Sequence, residues 1–293
     1  MTAVLTPTPS RSGGVDAVAQ SPHEVSDKSR LRWLMSDTWV FARRHLEHIR
    51  QIPEKLLDVT VQPIMFVLLF AFVFGGAIDV PGGRYREYLL GGILIQSLGF
   101  GVVGPATSIA TDLTEGVIDR FRSLPSSRLA YLMGHFLAEF MGLMLSIFIL
   151  SMAGLLVGWR THNDVAHVVA AYVLLLAFAA AVVWVGSLVG LVVRAPDAVM
   201  GIAFIGVFPL TFLSNAFVPI GTLPTGLQYV ASYNPISVMV AAVRELFGNP
   251  TAPIARHVWP LDHPVLTASL WCVVMLLAAA PLALRRFKKV TTD

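Results

Sequence analysis

From Val59 onward the chain consists of long apolar runs divided by short polar breaks. Six runs, 59–78, 89–110, 132–158, 165–193, 198–218 and 265–284, are each near the roughly 20 residues an α-helix needs to cross a hydrocarbon core. The pattern predicts an all-α integral membrane protein with six transmembrane helices, the fourth long enough to tilt or to protrude. Ahead of them, residues 1–29 are rich in Ser, Thr, Pro and Gly without an apolar stretch, which predicts a disordered tail rather than a cleaved signal. Residues 30–55 interleave Leu31, Leu34, Trp39, Phe41, Leu46 and Ile49 with Arg43, Arg44, His45 and Arg50. That mixture predicts an interfacial helix, its apolar side chains dipped into an anionic leaflet and its arginines at the phosphates. Residues 56–293 then make one membrane domain.

The most informative break is 111–128, TDLTEGVIDRFRSLPSSR. Read as a helix, it sets Leu113, Val117, Phe121 and Leu124 on one face and Asp112, Glu115, Asp119 and Arg122 on the other. Pro125 stops it, and a fresh apolar run begins at Leu129. A short amphipathic helix across the mouth of a membrane domain is a handle that a soluble partner can push.

The break before the last run has another character. Residues 219–248 are too apolar for a solvated loop and are cut by Pro219, Pro224 and Pro235. Proline suits a first helical turn, so two short helices are expected, 225–232 and 235–246, joined near Asn234. Such a hairpin re-enters the membrane, where its backbone must be buried against protein or line a cavity; the alternative is a hairpin resting on the membrane surface. Asn215 and Asn234 stand where broken backbone needs partners. Arg244 and Glu245, in the second short helix, either line an exit and close a gate or form a local ion pair.

Composition and charge then fix the class and the topology. With 55% apolar residues, 13% charged residues and a mean hydropathy of +0.70, the chain is polytopic. If both termini are cytoplasmic, sixteen of the 21 basic residues fall inside: in the region to Lys55, the 111–128 segment, the turn at Arg194 and the final RRFKK run. Arg84, Arg86, Arg160, Arg244 and Arg256 fall outside. Basic residues this dispersed argue against a nucleic-acid partner and for membrane lipid. A lone cysteine, Cys272, excludes an intrachain disulfide and a thiolate metal cluster. The eight histidines are scattered through tails and loops without ligand spacing, so neither a metal site nor a catalytic centre is expected.

Smaller signals concern packing. Gly154 with Gly158, and Gly186 with Gly190, each place two small residues one turn apart, which predicts close helix contacts within the chain. Gly91, Gly92, Gly99, Gly101 and Gly104 soften the second run, and Pro105 predicts a kink near its inner end. Phe66, Phe70, Phe72 and Phe74 crowd the first run, facing lipid, core or a lipophilic path. Glu139 lies near the inner end of the third, pairing with an arginine or reaching headgroup water.

Two stretches carry a resemblance. EGVIDRFRSLPSSRLAYLMG at 115–134 and RAPDAVMGIAFIGVFPLTFLSNAFVPIGTLPTGLQYVASYNPISVMVAAVRELFG at 194–248 closely resemble the type-two ABC exporter permeases, and within them the daunorubicin-resistance permease branch. The second is the more specific, its Phe-Val-Pro, Leu-Pro, Leu-Gln, Asn-Pro and Val-Arg-Glu landmarks standing in that branch's order. The resemblance implies an interfacial helix, six spans, a cytoplasmic coupling helix between the second and third, and a split outer helix before the sixth. It also implies a permease of the bacterial plasma membrane, paired with a second copy or a paralogue and seated on cytoplasmic ABC ATPase subunits that bind ATP and Mg. Contact with the ATPase then falls to Glu115, Gly116, Asp119, Arg120, Phe121, Leu124 and Pro125, the carboxylates toward the partner and Phe121 and Leu124 toward the membrane domain.

The chain itself carries no G-x-x-x-x-G-K-[ST] loop, so it is expected to bind no cofactor and to be no enzyme on its own. The expected function is ATP-driven export of a lipophilic compound such as an antibiotic or a lipid. An ion-coupled secondary transporter is the rival, and it asks for intramembrane ionisable groups, a requirement that only Glu139 approaches.

Overall fold

A computed structural model describes residues 61, 64–74, 83–116, 128–193, 195–251 and 257–290; the tail 1–29, the interfacial segment 30–55 and most of the 111–128 segment, residues 117–127, lie outside the described residues. Among the described residues every regular element is a helix. In chain order these are α1 (Ile64–Val73, closing in a π turn over Phe70–Phe74), α2 (Tyr85–Phe100), α3 (Val103–Thr114), α4 (Arg128–Val157), α5 (Val165–Val192) and α6 (Pro196–Phe212). After a 3₁₀ turn at Ile220–Thr222 come α7 (Thr225–Tyr233), α8 (Pro235–Phe247), α9 (Trp259–Asp262) and α10 (Pro264–Val290). Four helical stretches are long and apolar enough to cross a membrane: Tyr85–Thr114, Tyr131–Val157, Val165–Val192 and Pro264–Lys289; α1 and α6 are shorter apolar helices.

α5 is the central post, with α3, α4, α8 and α10 packed around it. Lipid tails are as apolar as leucine, so helices in a bilayer gain from close van der Waals contact rather than from leaving water. Small residues supply that contact. A Cβ on Gly186 would stand 2.5 Å from the Val102 carbonyl oxygen, and one on Gly190 would overlap the Ala106 backbone, so this pair joins α5 to α3 within the chain. Gly154 receives Leu90 in the same way, whereas Gly158, at φ +100°, turns the chain out of α4.

The second apolar run is broken where the glycines allow it rather than at its proline. α2 ends at Phe100, Gly101 and Val102 form a turn, the Gly101 amide is shared between the carbonyls of Ser97 and Leu98, and the Val102 amide donates to the Gly99 carbonyl. A side chain at Gly101 would press on Leu143, 2.6 Å from its Cδ2. Pro105 falls in the first turn of α3, where its missing N–H has no helical acceptor to lose, so the kink expected at Pro105 is instead the break at Gly101.

The contacts define two ends. At one, Arg86 Nη1 reaches the Val157 carbonyl at 3.4 Å and Glu87 lies 3.9 Å from His162, bringing together the starts of α2 and α5 and the end of α4. At the other, Ile109, Tyr131, Leu132, Leu191 and Phe287 share one apolar cluster, joining the ends of α3, α5 and α10 to the start of α4. A larger cluster fills the middle around Tyr88, Leu94, Leu175, Phe178, Val243 and Phe247. The skin of the bundle is apolar as well, with Leu156, Val165, Ile205 and Leu277 all prominently exposed, as a surface facing lipid requires.

Candidate functional site

The sequence of α6 carries Pro209 in its interior, and the helix ends three residues later at Phe212, short of the 218 expected from hydropathy. The carbonyls left beyond it are collected by side chains from other helices. Asn234 Nδ2 donates to the carbonyls of Leu210 and Leu213, while its Oδ1 accepts from the Ile236 amide at 2.9 Å and caps α8, which begins with Pro235 at its first position. One asparagine thus closes the end of α6 and opens α8.

Arg244 completes the junction from the third turn of α8. Its Nε donates to the Tyr88 carbonyl at 2.7 Å, Nη1 to the Asn215 carbonyl at 2.9 Å and Nη2 to the Ala216 carbonyl at 2.9 Å. The guanidinium carbon lies 3.4 Å from the centroid of the Tyr88 ring, and the Tyr88 hydroxyl also donates to the Asn215 carbonyl, at 2.9 Å. Tyr85 adds a bond to the Phe217 carbonyl at 3.2 Å. Arg244 is only 1% exposed, so its charge is held by carbonyl dipoles and an aromatic face rather than by water. Each hydrogen bond from a charged donor contributes about 1.5–3 kcal/mol and a desolvated cation–π contact about 2 kcal/mol, which together offset the loss of hydration. Only a planar fork of donors can meet these three carbonyls at once.

Glycine makes room for the arrangement. A Cβ on Gly92 would overlap the Ala216 carbonyl, with Ala216 Cα only 2.9 Å away, and one on Gly91 would stand 3.1 Å from Arg244 Cγ. The local Arg244–Glu245 ion pair considered from the sequence does not form: Arg244 points inward and Glu245 is exposed on the other side of α8. Asn215 contributes backbone rather than side chain. Its carbonyl takes Tyr88 and Arg244, its amide donates to Ser237 Oγ at 3.3 Å, and its buried Oδ1 finds no partner among the described residues. Pro219 opens the 3₁₀ turn, its carbonyl accepting from the Thr222 amide at 3.1 Å and hydroxyl at 2.8 Å.

The end of α8 is tied to the α4–α5 loop, a link the sequence reading missed. Gly248 takes φ +68° and closes the helix, with the Asn249 amide on the Arg244 carbonyl at 2.9 Å. Asn163 Nδ2 donates to the carbonyls of Glu245 and Leu246 at 2.8 and 3.1 Å. Asn249 Oδ1 accepts from Trp159 Nε1 at 2.7 Å and its Nδ2 donates to the Arg160 carbonyl at 2.7 Å. The signal available was Gly-Asn after an amphipathic helix, but nothing in one sequence names the distant tryptophan.

At the opposite end stands the base of the 111–128 segment. Asp112, in the last turn of α3, accepts a hydrogen bond from the Tyr131 hydroxyl of α4. The Tyr131 ring stacks on Phe287 of α10 at 5.6 Å between centroids. Glu115 is exposed, and Gly116 takes φ +67° with nothing within 4 Å of an added Cβ. A left-handed residue ends a helix, so the single helix expected from Asp112 through Leu124 is interrupted at Gly116. Asp119, Arg120, Phe121, Leu124 and Pro125 lie outside the described residues. Glu139 lies in the α3–α4 contact, its Oε2 2.8 Å from where a Cβ on Gly104 would stand.

A line of phenylalanines runs along one side of the bundle. Phe204, Phe208 and Phe212 are one turn apart on α6, with centroid spacings of 4.9 and 4.2 Å. Phe212 meets Phe217 at 5.4 Å, Phe217 meets Phe70 of α1 at 4.7 Å, and Phe70 meets Phe66 at 5.8 Å. The three on α6 are 52%, 37% and 44% exposed, an open aromatic stripe. No group of three metal-ligating side chains occurs among the described residues.

The chain is similar in sequence to known proteins. The profile of the ABC-2 type transporter family matches residues 36–247. The daunorubicin resistance ABC transporter permease protein DrrB1 of Streptomyces coeruleorubidus is 33% identical over 212 residues, 72% of this chain and 75% of that one. The doxorubicin resistance ABC transporter permease protein DrrB of Mycobacterium tuberculosis is 28% identical over 260 residues, 85% of this chain and 88% of that one.

Proposed function

The chain belongs to the ABC-2 type transporter family as a membrane permease subunit, and from that premise we propose how it works and what it carries. Two copies, or this chain and a paralogue, sit in a bacterial plasma membrane on cytoplasmic ABC ATPase subunits, which bind ATP and Mg. Six spans cross the membrane, α1 and α6 serving as the first and fifth. Both termini are cytoplasmic, and α7 and α8 form a hairpin that dips back from the outer side. The burial of ten of the thirteen residues of α8 supports that last point, because re-entrant backbone is tolerated where protein covers it.

The observation that carries the mechanism is the Asp112–Tyr131 bond. It joins the two roots of the 117–127 segment, and Tyr131 bears directly on Phe287. A push delivered to Glu115, Gly116, Asp119, Arg120 or the helix anchored by Phe121 and Leu124 therefore reaches α3, α4 and α10 together. The cargo is a lipophilic, planar aromatic compound, in keeping with the drugs for which the relatives are named and with the open phenylalanine stripe on α6.

The test is purification of the tagged full chain from its native membrane, with mass spectrometry of what accompanies it, followed by transport in vesicles. A stoichiometric soluble partner with a phosphate-binding loop, and ATP-dependent uptake of daunorubicin into inside-out vesicles, is the expected result. Movement of the drug by the chain alone on a proton or sodium gradient would instead favour the secondary transporter.

A further inference from the structure

We propose that Arg244 is a positioning residue, a latch that holds the α6–α7 junction shut against α2 and is released in each transport cycle. One side chain bridges three separate pieces of chain: it grows from α8, binds the Tyr88 carbonyl in α2, and binds the Asn215 and Ala216 carbonyls beyond α6. The hold adds to the sparse packing of α6, of whose seventeen residues only Val199, Ala203 and Thr211 are buried.

The chemistry of the hold suits release. Every bond to the junction ends on a backbone carbonyl, so letting go strands no counter-charge, and the freed carbonyls and guanidinium can be hydrated when the junction opens. The closed state is also incompletely satisfied, since Asn215 Oδ1 is buried without a partner among the described residues. Opening to water would satisfy that oxygen while breaking the Arg244 bonds. The two effects oppose each other, which is the condition for a junction poised between two states. Gly92 presses the same spot from α2, where a Cβ would overlap the Ala216 carbonyl, so closure is tight and any opening exposes Ala216.

The test is the reaction of a cysteine at Ala216, whose side chain is fully buried, with a membrane-impermeant maleimide. The full chain carries Ala216→Cys and Cys272→Ser and is reconstituted in phosphatidylethanolamine–phosphatidylglycerol vesicles, first without ATP or partner. Labelling of this parent should be slow. Arg244→Gln should raise the rate at least tenfold, and Arg244→Lys, which keeps the charge but loses the planar fork, should raise it severalfold. Tyr88→Phe removes one bond to the Asn215 carbonyl, keeps the ring, and should raise the rate about threefold, a result that stands if Arg244→Gln does not fold. Adding ATPase and ATP should accelerate the parent and leave Arg244→Gln unchanged.

Unchanged labelling in the nucleotide-free variants overturns the latch, as does an ATP response in Arg244→Gln equal to the parent's. Only the nucleotide arm rests on the exporter reading. A latch that loosens in the variants while ATP moves nothing would keep the latch and sink that reading.

Discussion

Tyr131 donates its hydroxyl hydrogen to Asp112 across the roots of the 117–127 segment, so the end of α3 and the start of α4 are one unit. A hydrogen bond to a carboxylate contributes about 1.5–3 kcal/mol, enough to decide whether a push on the segment is transmitted or absorbed. Tyr131→Phe and Asp112→Ala should each lower export at least tenfold while the assembled complex still hydrolyses ATP. The double variant should be no worse than the weaker single one, because both remove the same bond. Phe121→Asp or Leu124→Asp should uncouple the two activities in the same sense, and full export by these variants would count against the mechanism.

Gly92 and Gly226 give a steric prediction with its own control. Adding one methyl at Gly92 drives it into the Ala216 carbonyl, whereas a Cβ at Gly226 meets nothing within 4 Å. Overpacking of this kind costs about 1–3 kcal/mol. Gly92→Ala should therefore lower the thermal unfolding midpoint in detergent by several degrees, and Gly226→Ala should leave it in place.

Asn249 satisfies two groups at once, the Trp159 indole N–H and the Arg160 carbonyl. Asn249→Ala leaves both unpaired, at about 1–3 kcal/mol for each if buried. A double-mutant cycle with Trp159→Phe, read by unfolding in detergent, should return a coupling energy of about 1 kcal/mol. Strict additivity would mean that the bond does not hold the α4–α5 loop to the end of α8.

Substitutions at the phenylalanines of α6 distinguish a cargo path from a lipid-facing surface. Their rings are open, so Phe208→Ala and Phe212→Ala should change the unfolding midpoint by little. If planar aromatic cargo stacks along them, the apparent affinity for daunorubicin should weaken severalfold in each, with an aliphatic cargo unaffected. Equal losses for both cargoes would point to general damage instead.

Much of this was legible in the chain. Hydropathy alone located the long helices, because a bilayer-length apolar run has few other uses, and α5 at Val165–Val192 matches the expected 165–193 closely. The prolines marked where short helices start, at Thr225 and Pro235. Gly186 and Gly190 announced close packing. What the sequence could not supply was which partner each special residue meets. Pro105 invited a kink that fell at Gly101, since the break sits where α2 must clear Leu143. Amphipathic spacing ran straight through Gly116 because periodicity is blind to a left-handed backbone.

Class, span positions and the turn chemistry thus follow from local physics: helix period, hydropathy and the fixed φ of proline act within a few residues of each position. Where α6 ends, why Arg244 is buried with no carboxylate partner among the described residues, and how Asp112 reaches Tyr131 belong to the tertiary structure. Hydrogen bonds such as Arg244 to the Tyr88 carbonyl join residues 156 apart in the chain, and no local preference encodes a partner at that distance.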